Sequence, residues 1–374
     1  MRVGVMSMQR VVNHGSFMQA YGLKSMLESI GQEVIFVDYK PSPCVPGLRD
    51  IPGKVKDWLG RAKADIRFVS WGRKILIASG VYKRTQLDIK YERCLGLLGV
   101  DPCRRNIGER VDMLVIGSDE VFNCTQIGPN VGFCRQLLGK GNNCDSVISY
   151  AGSFGHTTIA DLKKYDIAND VKSCFRHFDA ISVRDDNSRS ILEELGFDST
   201  RMHFDPVLVS GVEKMPWRPV TTPERYALVY GYGYRFTKAE GEAIRSAAEE
   251  KGVELLAVYG HQEFCDRNVD CGPDEILSYF AGAEFVATDT FHGTIFSVIT
   301  HTPFVVVERE HNANKLADLL NKLSLEDRLA STLEELHSIL GIGLTFDDVD
   351  AKRAVARRES LAYLRDCIRA NSEG

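Results

Sequence analysis

Short apolar runs alternate with amphipathic stretches along this chain, and they do so in two series, which limits its fold more than any other feature. Residues 2–7 read as a strand, followed by a polar loop through Asn13, His14 and Gly15. Residues 17–29 then carry Phe17, Tyr21, Met26 and Leu27, with Ile30 just after, at helical spacing. Gly31 closes that helix, and residues 33–39 read as a second strand. A strand–helix–strand opening of this kind predicts parallel pairing through a right-handed crossover. Beyond a proline-bearing loop at 41–52 and a helical insertion at 54–98, strands are expected at 111–117, 146–151 and 180–183, with a helix at 186–195. Residues 206–210 end the series. Residues 211–225 contain three prolines and few periodic apolar positions, the pattern of a linker.

The second series has strands at 226–230, 254–259, 285–288 and 304–308. Helices are expected at 238–251, 273–282, 293–299, 315–323, 334–340 and 351–370. The expectation is an α/β chain of two Rossmann-like domains: 1–212 with a helical insertion around 50–100, and 213–345. A final helix within 346–374 would pack back on the first domain. At ~150 residues per domain, 374 residues accommodate two.

Charge and cysteine usage remove several function classes. A net charge of −5 argues against a globally basic nucleic-acid binder, and no nucleic-acid partner is expected. Within residues 49–110, however, fifteen Lys and Arg stand against seven Asp and Glu. This region reads either as solvated helix faces or as a surface for an anionic lipid head group or a phosphate-bearing acceptor. The ten cysteines include no C-x-x-C pair, so reduced thiols and no metal site are expected. With no secretory leader and no run of ~18 apolar residues, a cytoplasmic location is expected.

The chemistry-bearing residues cluster where strands end. Asp289-Thr290-Phe291-His292-Gly293-Thr294 follows a strand and opens an apolar helix. A helix N-terminus attracts anions, so Gly293 is expected to admit a ligand close to the backbone and Thr294 to offer a hydroxyl. His292 is the candidate general acid or base and Asp289 its orienting partner. Gly117-Ser118-Asp119-Glu120-Val121-Phe122-Asn123 and Ser182-Val183-Arg184-Asp185 end two further strands. Arg184 there can grip a carboxylate or phosphate, or merely pair with Asp185. Asn13-His14-Gly15-Ser16 sits like a phosphate loop but lacks both G-x-G-x-x-G and G-x-x-x-x-G-K, and Asp38 is only a weak stand-in for a ribose-binding acid. No nucleotide cofactor is expected.

In this order, together with Tyr150-Ala151-Gly152-Ser153-Phe154-Gly155 and Asp205-Pro206, these segments resemble the polysaccharide pyruvyl transferase family. The resemblance runs from residue 1 to about 330. It implies a GT-B-like pair of Rossmann-like domains with the active site in the cleft between them. It also implies transfer of pyruvate from phosphoenolpyruvate onto sugar hydroxyls of a cell-surface polysaccharide precursor, free or lipid-linked, giving a ketal. His292 and Arg184 fall on the family's histidine and strand-end arginine. Several relatives carry Arg-Leu-His-Gly where this chain has Thr290-Phe291-His292-Gly293, so Arg184, Arg309 or Lys315 would supply the missing charge. Ser118, Asp119, Asn123 and the Asn13-His14-Gly15 turn would serve substrate binding. A nucleotide-sugar glycosyltransferase and a non-catalytic carbohydrate-binding or assembly protein are the alternatives.

Overall fold

The computed structural model describes residues 1–48, 86–126, 131–233, 235–309 and 313–373. The basic stretch at 49–110 and the helical insertion at 54–98 therefore lie largely outside the described residues. Of the insertion, only a helix over Gln86–Leu98 is described.

The chain divides into two units, Met1–Pro206 with Glu359–Gly374, and Val207–Arg358. In the first, β1 (Arg2–Met6) has Val3, Val5 and Met6 wholly buried, as expected of a parallel strand covered on both faces. Helix α1 (His14–Ser29) follows, then β2 (Glu33–Phe36), α2 (Gln86–Leu98), β3 (Val111–Asp119) and β4 (Cys144–Gly152). The series continues with α3 (Ile159–Lys164), α4 (Ala168–Phe175), β5 (Ser182–Val183), α5 (Asp186–Glu194) and β6 (Arg201–Met202). All six strands pair in parallel in the order β2-β1-β3-β4-β5-β6. The chain runs from β1 outward to β2 and then returns to β3 on the other side. The strand order thus reverses between β1 and β3, which is where open α/β sheets bind ligands.

Two boundaries differ from the sequence reading for a physical reason. Helix α1 starts at His14 rather than Phe17, because the Asn13 side-chain oxygen accepts from the Gly15 and Ser16 N–H groups and caps the first turn. The polar segment 13–16 is thus a cap and a helix start, not a loop. Strand β3 runs on through Ser118 and Asp119, with Asp119 opposite Gly152 of β4, so these two residues form the carboxyl end of an interior strand rather than the loop after it. Just beyond, Phe122 enters a cluster with Phe154, Phe175 and Phe178, ring centroids 4.9–6.0 Å apart. That plug ties the Ser118–Asn123 segment to the core.

The second unit opens within a short helix, α6 (Pro206–Val209). Its elements are β7 (Tyr226–Tyr230), α7 (Lys238–Lys251), β8 (Glu254–Ala257), β9 (Arg267–Asn268), α8 (Ile276–Ala281) and β10 (Val286–Thr288). Next come α9 (Phe291–Ile299), β11 (Phe304–Val307), α10 (Ala313–Leu323), β12 (Leu329–Ala330) and α11 (Leu333–Gly341). The sheet is again parallel, in the order β12-β11-β10-β7-β8-β9, and its order reverses between β7 and β10. Two parallel six-stranded sheets with interleaved helices make this an α/β protein of two Rossmann-like halves. The last helix, α12 (Asp347–Glu373), contributes to both units. Within the second, Arg353 and Arg357 donate to the carbonyls of Leu208 and Val209. Within the first, the Tyr363 hydroxyl donates to the Ser149 carbonyl at 2.9 Å. Among the described residues no helix is long and apolar enough to cross a membrane, and all ten cysteines are free thiols.

Candidate functional site

The strand register of the second unit decides what gathers at its reversal point. Thr288 lies opposite Tyr230 in the β10–β7 pair, so the residues that leave the two strands side by side are Asp289 and Gly231. A Cβ on Gly231 would come within 2.7 Å of the Asp289 carboxylate, so the close approach requires glycine. Thr288 donates its hydroxyl to the Tyr230 carbonyl at 2.7 Å, fastening the turn to β7. Thr290 then caps α9, its hydroxyl accepting from the Gly293 N–H at 3.0 Å. As with α1, the helix begins earlier than periodicity implied, at Phe291 instead of Gly293. His292 therefore sits in the first turn, half-buried, with its ring 5.4 Å from that of Phe291 and 6.1 Å from that of Phe296.

Around that turn lies a balanced set of charges. Asp289 is fully buried, with its carboxylate 3.5 Å from Nε of Arg309 and 3.8 Å from Nη1 of Arg235. Burial pushes its carboxyl above the ordinary range while the two guanidiniums pull the other way. Arg309 grips Glu240 of α7 with both terminal nitrogens, at 2.6 and 2.9 Å. Burial alone would raise the Glu240 carboxyl, but hydrogen bonds from Arg309 and Thr237 hold it below its usual value. Arg235 lies with its guanidinium 4.0 Å from the Tyr232 ring centroid, and Tyr232, Tyr259 and Tyr230 form a run of rings at 5.0 Å spacings. Lys315 of α10 places Nζ 6.0 Å from the Phe291 ring centroid.

In the first unit, the reversal point between β1 and β3 is built from Ser16 of α1 and the Gly117–Asp119 end of β3. The Ser16 hydroxyl donates to Asp119 at 2.7 Å. Gly117 (φ +134°) would place a Cβ 2.1 Å from the Tyr150 carbonyl oxygen, the Gly117–Ser118 peptide is cis, and Asp119 adopts φ +76°. A non-glycine residue held in the left-handed region marks a segment whose surroundings over-determine it. Besides Ser16, Asp119 is held by the Glu120 N–H at 2.9 Å and by Arg184, from the end of β5. Its Nη1 donates to Asp205 at 2.6 Å and its Nη2 lies 3.5 Å from Asp119. Burial works against the charged guanidinium, yet Asp205 and Asp119 outweigh it and keep Arg184 protonated more firmly than usual.

Several expected roles change on this geometry. Arg184 is neither a surface partner of Asp185, which caps α5, nor an open anion clamp; two carboxylates enclose it. Gly293 does not face a ligand, since a Cβ there would lie 2.2 Å from the Thr288 hydroxyl and its N–H is taken by Thr290. The Thr294 hydroxyl turns back to the Thr290 carbonyl at 3.0 Å and is wholly buried. Asn13 and Gly15 form the α1 cap, and His14 stacks on Tyr91 of α2 at 5.8 Å. The Asn123 side-chain oxygen accepts from Thr125 and Thr157, while its amide nitrogen reaches Glu120 at 2.9 Å and His156 at 3.3 Å. Asp38 is saturated by Arg10, Gln9 and the Asn106 N–H, which closes it as a ribose acceptor. Sequence reasoning passed over Arg235, Glu240 and His156. For Arg235 the available signal was its place in a glycine- and tyrosine-rich loop directly after β7.

Neither reversal point offers a built metal centre: among the described residues no three His, Cys, Asp or Glu side chains are grouped to hold an ion. A shallow polar depression beside Arg225, Arg245 and Glu254 lies at the opposite, amino-terminal edge of the second sheet and is unconnected with the His292 turn.

Among solved structures, the chain is similar to the UDP-GlcNAc 2-epimerase of Methanocaldococcus jannaschii (10% identity, TM-score 0.49, covering all of both chains). It is similar also to the same enzyme from Neisseria meningitidis (8%, 0.49, covering 98% of this chain and 99% of that one). A spinosyn rhamnosyltransferase matches at 16% identity and TM-score 0.45, covering 99% of this chain and all of that one. No curated protein matches the chain. The family model for polysaccharide pyruvyl transferase matches residues 13–311, a span that includes the Asn13 cap, the Asp119–Arg184–Asp205 network and the His292 turn. On that match over most of its length, the chain belongs to the polysaccharide pyruvyl transferase family.

Proposed function

We propose that this polysaccharide-modifying transferase moves a pyruvyl group from phosphoenolpyruvate onto two hydroxyls of a sugar, closing a ketal. The observation that carries the reading is the family match over residues 13–311, with His292 in the first turn of α9 at a strand-order reversal. One acceptor hydroxyl adds to the enol carbon while an acid protonates the methylene carbon. The second hydroxyl then displaces inorganic phosphate from the same carbon. Both hydroxyl protons are accounted for, one in the new methyl group and one lost to the medium or to phosphate.

His292 is assigned the proton transfers, because imidazole serves as acid in one half of such a reaction and as base in the other. Charge develops on an oxocarbenium-like carbon, so fixed polar groups around the donor lower the barrier. Asp289, expected to orient the His292 ring, faces Arg309 at 3.5 Å and Arg235 at 3.8 Å instead and is assigned the positioning of those guanidiniums. Arg309 and Lys315 shape the same turn. In the first unit, Asp119 is assigned to the saccharide and Arg184 to holding it in place. Ser118 is wholly buried with its hydroxyl donating to the Ala151 carbonyl at 2.8 Å and serves the sheet instead. The acceptor is a glycan or lipid-linked saccharide of a cell-surface polymer.

Thermal unfolding of the purified chain with phosphoenolpyruvate, a UDP-sugar or NAD separates the donor classes. At ~100 times its dissociation constant a true donor stabilises the fold by ~2.7 kcal/mol. Stabilisation by phosphoenolpyruvate alone is expected; stabilisation by the UDP-sugar alone would overturn the reading in favour of glycosyl transfer.

A further inference from the structure

Phosphoenolpyruvate carries a carboxylate and a phosphate, so binding it beside His292 calls for a cation whose donors are not already spent. Thr290, in the same turn as His292, is absorbed into the α9 cap and brings no charge. Arg309 has both terminal nitrogens on Glu240. Lys315 is a point charge over the Phe291 ring and lacks a planar fork. Arg184 belongs to the first unit and is enclosed by Asp205 and Asp119.

Arg235 is different. Its side chain is only 15% exposed, yet among the described residues it makes no side-chain hydrogen bond. Its partners are the Asp289 carboxylate at 3.8 Å and the face of Tyr232 at 4.0 Å. A guanidinium has five N–H donors, and leaving them unmatched away from bulk water is costly. The register that sets Gly231 beside Asp289 also brings the Arg235 loop against the turn that carries His292. Asp289 and Tyr232 fix the position of the fork and leave its hydrogen-bonding edge unspent.

We infer that Arg235 is the donor-anion residue of this chain, gripping the carboxylate or phosphate of phosphoenolpyruvate. This inference rests on the pyruvyl-transfer reading above. Arg235 makes direct contact with the donor, and Asp289 is its positioning partner.

Calorimetric titration of phosphoenolpyruvate into the full chain tests it, comparing wild type with Arg235→Gln, Arg235→Lys and the exposed control Arg267→Gln. Arg235→Gln is expected to weaken binding about ten- to a hundredfold, the equivalent of one charged hydrogen-bonded contact. Arg235→Lys keeps the charge opposite Asp289 and is expected to fall between Arg235→Gln and wild type. The control should bind as wild type does. If Arg235→Gln fails to fold, Arg235→Lys carries the test alone. Wild-type affinity in the Arg235 variants would overturn the inference and leave the pyruvyl-transfer reading standing. A wild type that binds no phosphoenolpyruvate would remove both.

Discussion

The fate of single side chains shows which interactions decide the candidate site. Arg184 sits between two carboxylates in a buried network, so removing its charge leaves two anions facing each other out of water. Arg184→Met is expected to cost about 3–5 kcal/mol in urea unfolding, whereas Arg189→Met on the exposed face of α5 should stay within ~0.5 kcal/mol. Equal, small effects of both would show that the network carries no stability. The sequence offered Arg184 as an anion clamp because a strand-end arginine looks the same whether its partners are substrate or protein. Asp119 and Asp205 lie 65 and 21 residues away from it, and no local pattern shows that they converge. Arg235 was hidden for the same reason, since its significance comes from Asp289, 54 positions later in the chain. The position of His292 was legible because it depends on its own turn alone, a strand end followed by a helix start.

At the level of elements, the longer strands and most helix interiors were readable from periodicity, and α5 and α7 begin at Asp186 and Lys238 as their spacing indicates. The two-residue strands β6, β9 and β12 and the starts of α1 and α9 were not readable. Both α1 and α9 begin two or three residues earlier than their apolar spacing indicates. In each, a His-Gly pair occupies the first turn, where weak helix propensity gives the appearance of a loop and the cap residue does the ordering. Thr290 makes this checkable. Thr290→Ala removes the acceptor of the Gly293 N–H and is expected to cost about 1 kcal/mol, while Thr290→Ser should recover most of it. Thermal unfolding of the two variants decides the matter, and an Ala variant as stable as wild type would mean that the cap contributes nothing. The extension of β3 through Asp119 was not readable either. Residues Gly117 to Asp119 have poor strand propensity, and only pairing with β4 keeps them in the sheet.

For the molecule as a whole, the double alternation of strand and helix made the α/β class and the two sheets legible before any coordinate. A titratable group in the first unit adds a pH dependence that no sequence pattern announces. His203 hydrogen-bonds with Ser182 at 2.7 Å, stacks on Tyr150 and lies with its ring 4.6 Å from that of Tyr363 in a tilted contact. Burial first, and Arg201 second, hold its imidazole down from 6.5 to about 4. Between those values the unfolded chain binds a proton that the fold refuses. This contribution to stability is therefore complete above pH 6.5, shrinks as pH falls and is lost by about pH 4. His203→Asn should flatten the stability profile in that window, and an unchanged slope would place the titration elsewhere. The central claim concerns chemistry, and the most direct measurement is phosphate release from phosphoenolpyruvate with a diol-bearing saccharide acceptor, wild type against His292→Ala. Release is expected to require the acceptor, with pyruvate recovered on the sugar in equal amount and the rate lowered about 10²–10⁴-fold in the variant. Full turnover by His292→Ala, or no acceptor-dependent phosphate from the wild type, would contradict it.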